Sequence, residues 1–148
     1  MPSRVAETPA ASPEFITQHY GHRLALETDC HDVFSSKQSG EPDFVLLDVR
    51  SPALYAAKHI PGAINLPHGK MTARKMAEWP DSTLFVVYCA GPHCNGTDKA
   101  AWRLGSLGKR VKVMIGGITG WADEGFPFEA GVESDGKTDQ TNDADVAL

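Results

Sequence analysis

Apolar positions in this chain come in short runs set off by turn residues, and the runs differ in period. Phe44-Val45-Leu46-Leu47 is unbroken and follows the breakers Gly40, Pro42 and Asp43. Leu84-Phe85-Val86-Val87-Tyr88 is unbroken too and follows Pro80-Asp81-Ser82. Continuous runs of this length suit strands covered on both faces, as in a parallel sheet. Thr97 to Leu107 has a helical period instead: Ala100, Ala101, Leu104 and Leu107 share a face, and Gly108 follows as the C′ residue. Ser12-Pro13-Glu14 reads as a helix start, with Gly21 as its end. Leu24 to Glu27 reads as a short strand. Thr28 or Asp29 can cap a second helix that sets Cys30, Val33 and Phe34 on one face.

Ser51-Pro52 opens a short helix to about Lys58, Pro61-Gly62 is a turn, and Ala63 to Leu66 is a strand. Residues 70–78 read as helix, Val111 to Ile115 as the last strand, and Gly116-Gly117 leads into a helix through Trp121. Strands alternating with helices predict an α/β domain with a mainly parallel sheet.

Length and charge refine this. The 148 residues suit one domain. The net charge of −5 is concentrated at one end: residues 131–148 hold five acids and a single base, whereas residues 14–130 are close to neutral. The division predicted is a flexible segment over 1–13, a folded body over 14–130 and a disordered acidic tail over 131–148. No basic surplus supports nucleic-acid binding. The longest apolar run, Leu84 to Ala90, is far below the roughly 20 residues of a membrane span. The N-terminus lacks the apolar stretch of a secretory signal, and three cysteines do not suit a disulfide scaffold, so the expected location is cytoplasmic.

The candidate chemistry centres on Cys89. The strongest strand runs straight into it, and a loop of small and turn-forming residues then leads to the strongest helix. In α/β sheets the functional crevice lies beyond the carboxyl ends of the strands. Loop amides and a helix N-terminus favour an anion there, which predicts a Cys89 pKa below the ordinary thiol value. The expected site is catalytic Cys89 with Ala90, Gly91, Pro92, His93, Cys94, Asn95, Gly96 and Thr97 around the substrate.

Several pieces together carry a resemblance. They are Leu47-Asp48-Val49-Arg50, His59-Ile60-Pro61-Gly62-Ala63-Ile64-Asn65-Leu66-Pro67, Val87-Tyr88-Cys89, Lys99-Ala100-Ala101, and Gly116-Gly117 followed by Trp121. In this order the chain resembles the single-domain rhodanese-like sulfurtransferases. The resemblance implies a three-layer fold with a sheet of about five mainly parallel strands flanked by helices. It also implies that Cys89 takes a sulfane sulfur from a thiosulfate- or persulfide-type anion as a persulfide. A thiol, a protein thiol or a cyanide-like acceptor then removes that sulfur. No metal or organic cofactor is implied. The alternative is a sulfur-carrier, redox-sensing or protein-interaction module whose partner is not thiosulfate.

The chain departs from the family's usual loop. Seven residues, Ala90 to Gly96, separate Cys89 from Thr97, and none is Arg or Lys. Asn95 stands where a Cys-x5-Arg phosphatase would need its Arg. Cys94, in the same loop, is either packing or a second thiol able to bond with Cys89. Asp48 and Arg50 are expected to brace the fold, His59 to serve a turn, and Cys30 and Trp121 to pack in the core.

Overall fold

The structure is a computed structural model that describes residues 1–132. The predicted acidic tail lies outside the described residues from position 133 onward. Five strands form one sheet: β1 (Glu27–Asp29), β2 (Val45–Asp48), β3 (Ile64–Asn65), β4 (Leu84–Tyr88) and β5 (Arg110–Ile115). Their order is β1-β5-β4-β2-β3, and every pairing is parallel. The helices are α1 (Arg4–Glu7), α2 (Pro13–Leu26), α3 (Cys30–Gln38), α4 (Pro52–Ala57), α5 (Ala73–Met76), α6 (Gly96–Ser106) and α7 (Gly117–Asp123).

The unbroken apolar run of β4 has the predicted cause. Alternate side chains point to opposite faces, and both faces are covered. Val86 and Tyr88 join Cys30, Val33, Tyr55, Met114 and Trp121 in one core cluster. Phe85, Val87 and Cys89 join Met71, Met76, Ala100 and Leu104 in the other. Cys89 therefore continues the face that α6 covers.

Local structure differs from expectation in three places. Gly21 does not end α2, which runs on to Leu26, so the strand expected at Leu24–Glu27 shifts to Glu27–Asp29. A glycine inside a helix costs only about 1 kcal/mol, and Gly21 keeps an ordinary helical backbone. The Arg23–Glu27 ion pair at 3.1 Å spans the last turn. Second, the helix expected over 70–78 is a 3-10 turn at His68–Lys70 followed by α5. Thr72 divides them, because its side chain caps α5 by accepting from the Lys75 amide at 3.1 Å. Third, Arg4–Glu7 forms one exposed helical turn within the segment whose composition predicts flexibility.

Asp29 caps α3 by accepting from the Asp32 amide at 2.8 Å. Among the described residues no helix is long and apolar enough to cross a membrane.

Candidate active site at Cys89

Cys89 follows the last residue of β4 and is 6% exposed. Its backbone is fixed from the far side of the loop. The Ile118 amide donates to the Cys89 carbonyl at 3.0 Å, and the Thr119 amide and hydroxyl donate to the Ala90 carbonyl at 3.0 and 3.1 Å. Gly117 makes this approach possible. It has φ +58°, and a Cβ there would lie 2.5 Å from the Cys89 carbonyl oxygen. The Gly116-Gly117 pair thus docks the first turn of α7 under the loop.

Beyond Ala90 the chain turns, with the Cys94 amide donating to the Gly91 carbonyl at 3.1 Å. The turn brings Cys94 back over Cys89. Their Sγ atoms are 2.6 Å apart, and both thiols are unbridged. The Gly96 amide at the start of α6 donates to Cys94 Sγ at 3.4 Å. Gly96 must be small, because a Cβ would sit 2.8 Å from Cys89 Sγ and 3.4 Å from Cys94 Sγ.

The two thiols share protons, and the expected lowering of the Cys89 pKa is corrected. Burial, then the hydrogen bond with Cys94, push the Cys89 thiol up to about 11. The Ala90 and Gly96 amides pull the other way and are outweighed. Cys94 moves below the ordinary thiol value, first because of its contact with Cys89, then because of the Gly96 amide and more weakly the Lys99 charge. The two thiols therefore ionise as one pair, in which burial disfavours the Cys89 thiolate and the more exposed, amide-facing position favours the Cys94 one.

The pair opens into a cleft of about 490 Å³. Cys89, Gly91, Pro92, Cys94 and Thr97 line it. Ala90 and Gly96 contribute through their amides. His93 and Asn95 are exposed on the loop, outside the lining. The opposite wall holds residues that the sequence reading missed: Arg23 and Glu27, with Val113 to Gly117. Arg23 is the one basic side chain among the described lining residues; it is paired with Glu27, and Asp98 lines the cleft as a second acid. Reading Leu24–Glu27 as strand hid that position; the i, i+4 spacing of Arg23 and Glu27 was the available signal. Arg103, also near in sequence, instead donates to the Met71 carbonyl at 2.8 Å.

Beneath the site, the residues expected to brace the fold form a buried network. Arg50 pairs with Asp48 at 2.7 Å and donates to it again through its amide at 2.9 Å. The Tyr88 hydroxyl donates to Asp48 Oδ2 and accepts from the Ile60 amide at 3.1 Å. His59 does more than serve a turn. It is 1% exposed, stacks on Tyr55 and holds the Tyr55 carbonyl at 2.8 Å and Glu129 at 3.1 Å. Cys30 and Trp121 are in the core. Among the described residues no group of three or more His, Cys, Asp or Glu side chains is placed to hold a metal.

Known proteins resemble this chain in sequence and fold. A sulfurtransferase of Allochromatium vinosum is 32% identical over 65% of this chain and 88% of its own length. The HTH-type transcriptional regulator Rv0324 of Mycobacterium tuberculosis is 33% identical over 68% of this chain, which spans only 43% of that regulator. The BH2092 protein of Bacillus halodurans, a crystal structure, superposes with a TM-score of 0.78 at 32% identity, covering 88% of this chain and 96% of that one. The sequence profile of the rhodanese-like domain matches residues 33–124, most of the described chain. Together with the five-stranded parallel sheet, this match shows that the chain belongs to the rhodanese-like domain family.

Proposed function

We propose that the protein is a sulfurtransferase in which Cys89 accepts the outer sulfur of a thiosulfate- or persulfide-type donor and passes it to a nucleophile. The observation that carries this reading is the position of the Cys89 thiol. It lies at the carboxyl end of the central strand, on the floor of an open cleft, beside a second thiol that can take its proton. The sulfurtransferase among the relatives adds to it.

The geometry supports the following steps. As a thiosulfate outer sulfur approaches, the Cys89 proton moves to the Cys94 thiolate. The Cys89 thiolate attacks the outer sulfur, the sulfur–sulfur bond of the donor breaks, and sulfite leaves with the bonding pair. The persulfide left on Cys89 is a buried anion, and the Ala90 and Gly96 amides stabilise it. A thiolate or cyanide then takes the outer sulfur, which completes a two-step cycle. Arg23, on turning from Glu27, is the basic side chain available to meet the anionic donor. No step needs a metal or an organic cofactor. A persulfide cycle with a free thiol pair would run in a reducing compartment such as the cytoplasm.

The test is turnover of thiosulfate and cyanide to thiocyanate and sulfite. Initial rates of wild type at cyanide concentrations that intercept the persulfide should give parallel lines in double-reciprocal plots, and Cys89→Ser should be inactive. Equal rates in the two proteins would overturn the role of Cys89.

A further inference from the structure

We propose that Cys94 resolves the Cys89 persulfide, so that the sulfane sulfur leaves as hydrosulfide and a Cys89–Cys94 disulfide remains for an external dithiol to reduce. The proposal rests on the persulfide reading above and adds an activity to it: reduction of the sulfane sulfur, with the protein's own thiol as the first reductant.

Geometry carries the inference. The two Sγ atoms are 2.6 Å apart, about 0.6 Å beyond a disulfide bond. A small closure of the loop joins them. The loop is built around the pair. The Cys94 amide bonds back to Gly91, and the Gly96 amide donates to Cys94 Sγ. Gly96 also lacks the Cβ that would press on both sulfurs. Cys94 is half-buried and lines the same cleft as Cys89, so it faces the reacting centre. Its thiolate is favoured by the Cys89 and Gly96 donors and by Lys99 on the first turn of α6.

The chemistry balances. Formation of the persulfide leaves the Cys89 proton on Cys94. That proton passes to the outer, anionic sulfur of the persulfide, which regenerates the Cys94 thiolate. Cys94 Sγ attacks Cys89 Sγ, the sulfur it already touches. The Sγ–Sγ bond forms as the bond from Cys89 Sγ to the outer sulfur breaks, and hydrosulfide leaves with the electron pair and the proton. The two cysteine sulfurs lose two electrons in all, and the sulfane sulfur gains them. From thiosulfate, one protein thiol and one protein thiolate the products are one disulfide, one hydrosulfide and one sulfite. A dithiol restores both thiols by exchange.

The experiment treats anaerobic wild type, Cys94→Ser, Cys94→Ala and Cys89→Ser with thiosulfate, and separately with glutathione persulfide, without an added acceptor. Hydrosulfide is measured and intact masses are taken. Wild type should release close to one equivalent of hydrosulfide and lose the mass of two hydrogens. Both Cys94 variants, incubated at a pH and for a time that let Cys89 load without the Cys94 base, should instead keep one added sulfur and release none. With dithiothreitol, wild type should then turn over hydrosulfide at least tenfold faster than either Cys94 variant. A wild type that keeps the added sulfur and a free Cys94 would overturn the resolving role and leave the persulfide reading standing. No added sulfur and no hydrosulfide from any protein with either donor would overturn both.

Discussion

The Tyr88 hydroxyl donates a 2.6 Å hydrogen bond to Asp48 Oδ2, joining adjacent strands one residue before the site cysteine. The same carboxylate holds Arg50, and both charged groups are buried. Removing the hydroxyl leaves the buried Ile60 amide without its partner, while Asp48 Oδ2 keeps only Arg50. Tyr88→Phe should cost about 1–3 kcal/mol. Asp48→Ala, which strands a buried guanidinium, should cost about 3–5 kcal/mol. Urea denaturation of the purified variants measures both. A loss under about 0.5 kcal/mol for Asp48→Ala would mean that the network is not a brace.

Gly96 lies against both sulfurs. Gly96→Ala places a methyl 2.8 Å from Cys89 Sγ. The change should leave α6 folded, since alanine favours helix over glycine. Thiocyanate formation should fall at least tenfold, with a melting temperature close to wild type. Unchanged turnover would show that the thiol pair is not held as described.

Labelling with iodoacetamide reports where the thiolate rests. The Cys89 pKa is raised to about 11 by burial and by its bond to Cys94, so it stays protonated at neutral pH. Cys94 is lowered and ionises first. Peptide mapping at pH 7 should find Cys94 alkylated before Cys89, and Cys89 labelling in wild type should climb as pH approaches 11. In Cys94→Ser the Cys89 profile should move to lower pH, because the charge and hydrogen bond that raise its pKa are removed. Faster labelling of Cys89 than Cys94 at neutral pH would reverse the assignment.

Arg23 and Glu27 pair across 3.1 Å at the cleft wall. Arg23→Ala should raise the KM for thiosulfate about two- to fivefold and leave kcat nearly unchanged, with the difference shrinking as salt screens the charge. Glu27→Gln frees Arg23 and should lower KM. Steady-state kinetics at two ionic strengths decides it; identical KM values would remove Arg23 from donor binding.

The features that could be read from sequence are those fixed locally. The unbroken runs of β2 and β4 reflect two covered sheet faces, and the period of α6 reflects its buried Ala100 and Leu104. Cys89 could be placed because strand, loop and helix are consecutive. What stayed hidden depends on distant partners. His59 meets Glu129, seventy positions away, through side chain and backbone alike. Arg23 reaches the cleft only because α2 continues through Gly21. The spacing of Cys89 and Cys94 allowed a contact without fixing it; the Gly91 turn and the bare Gly96 set the distance. The sign of the Cys89 shift was misjudged for a related reason. Helix and loop amides are visible in a sequence, whereas the burial that outweighs them is a property of the assembled core.

Sulfur transfer through Cys89 is tested most directly by intact mass after a brief exposure to thiosulfate. Cys94→Ser is the protein to use, at a pH high enough for Cys89 to ionise without Cys94, since loss of hydrosulfide cannot then mask the adduct. It should gain the mass of one sulfur atom, lose it on addition of cyanide with an equivalent of thiocyanate formed, and gain nothing when Cys89 is also replaced by Ser. A chain whose mass is unchanged, or an added sulfur that persists without Cys89, would contradict a Cys89 persulfide.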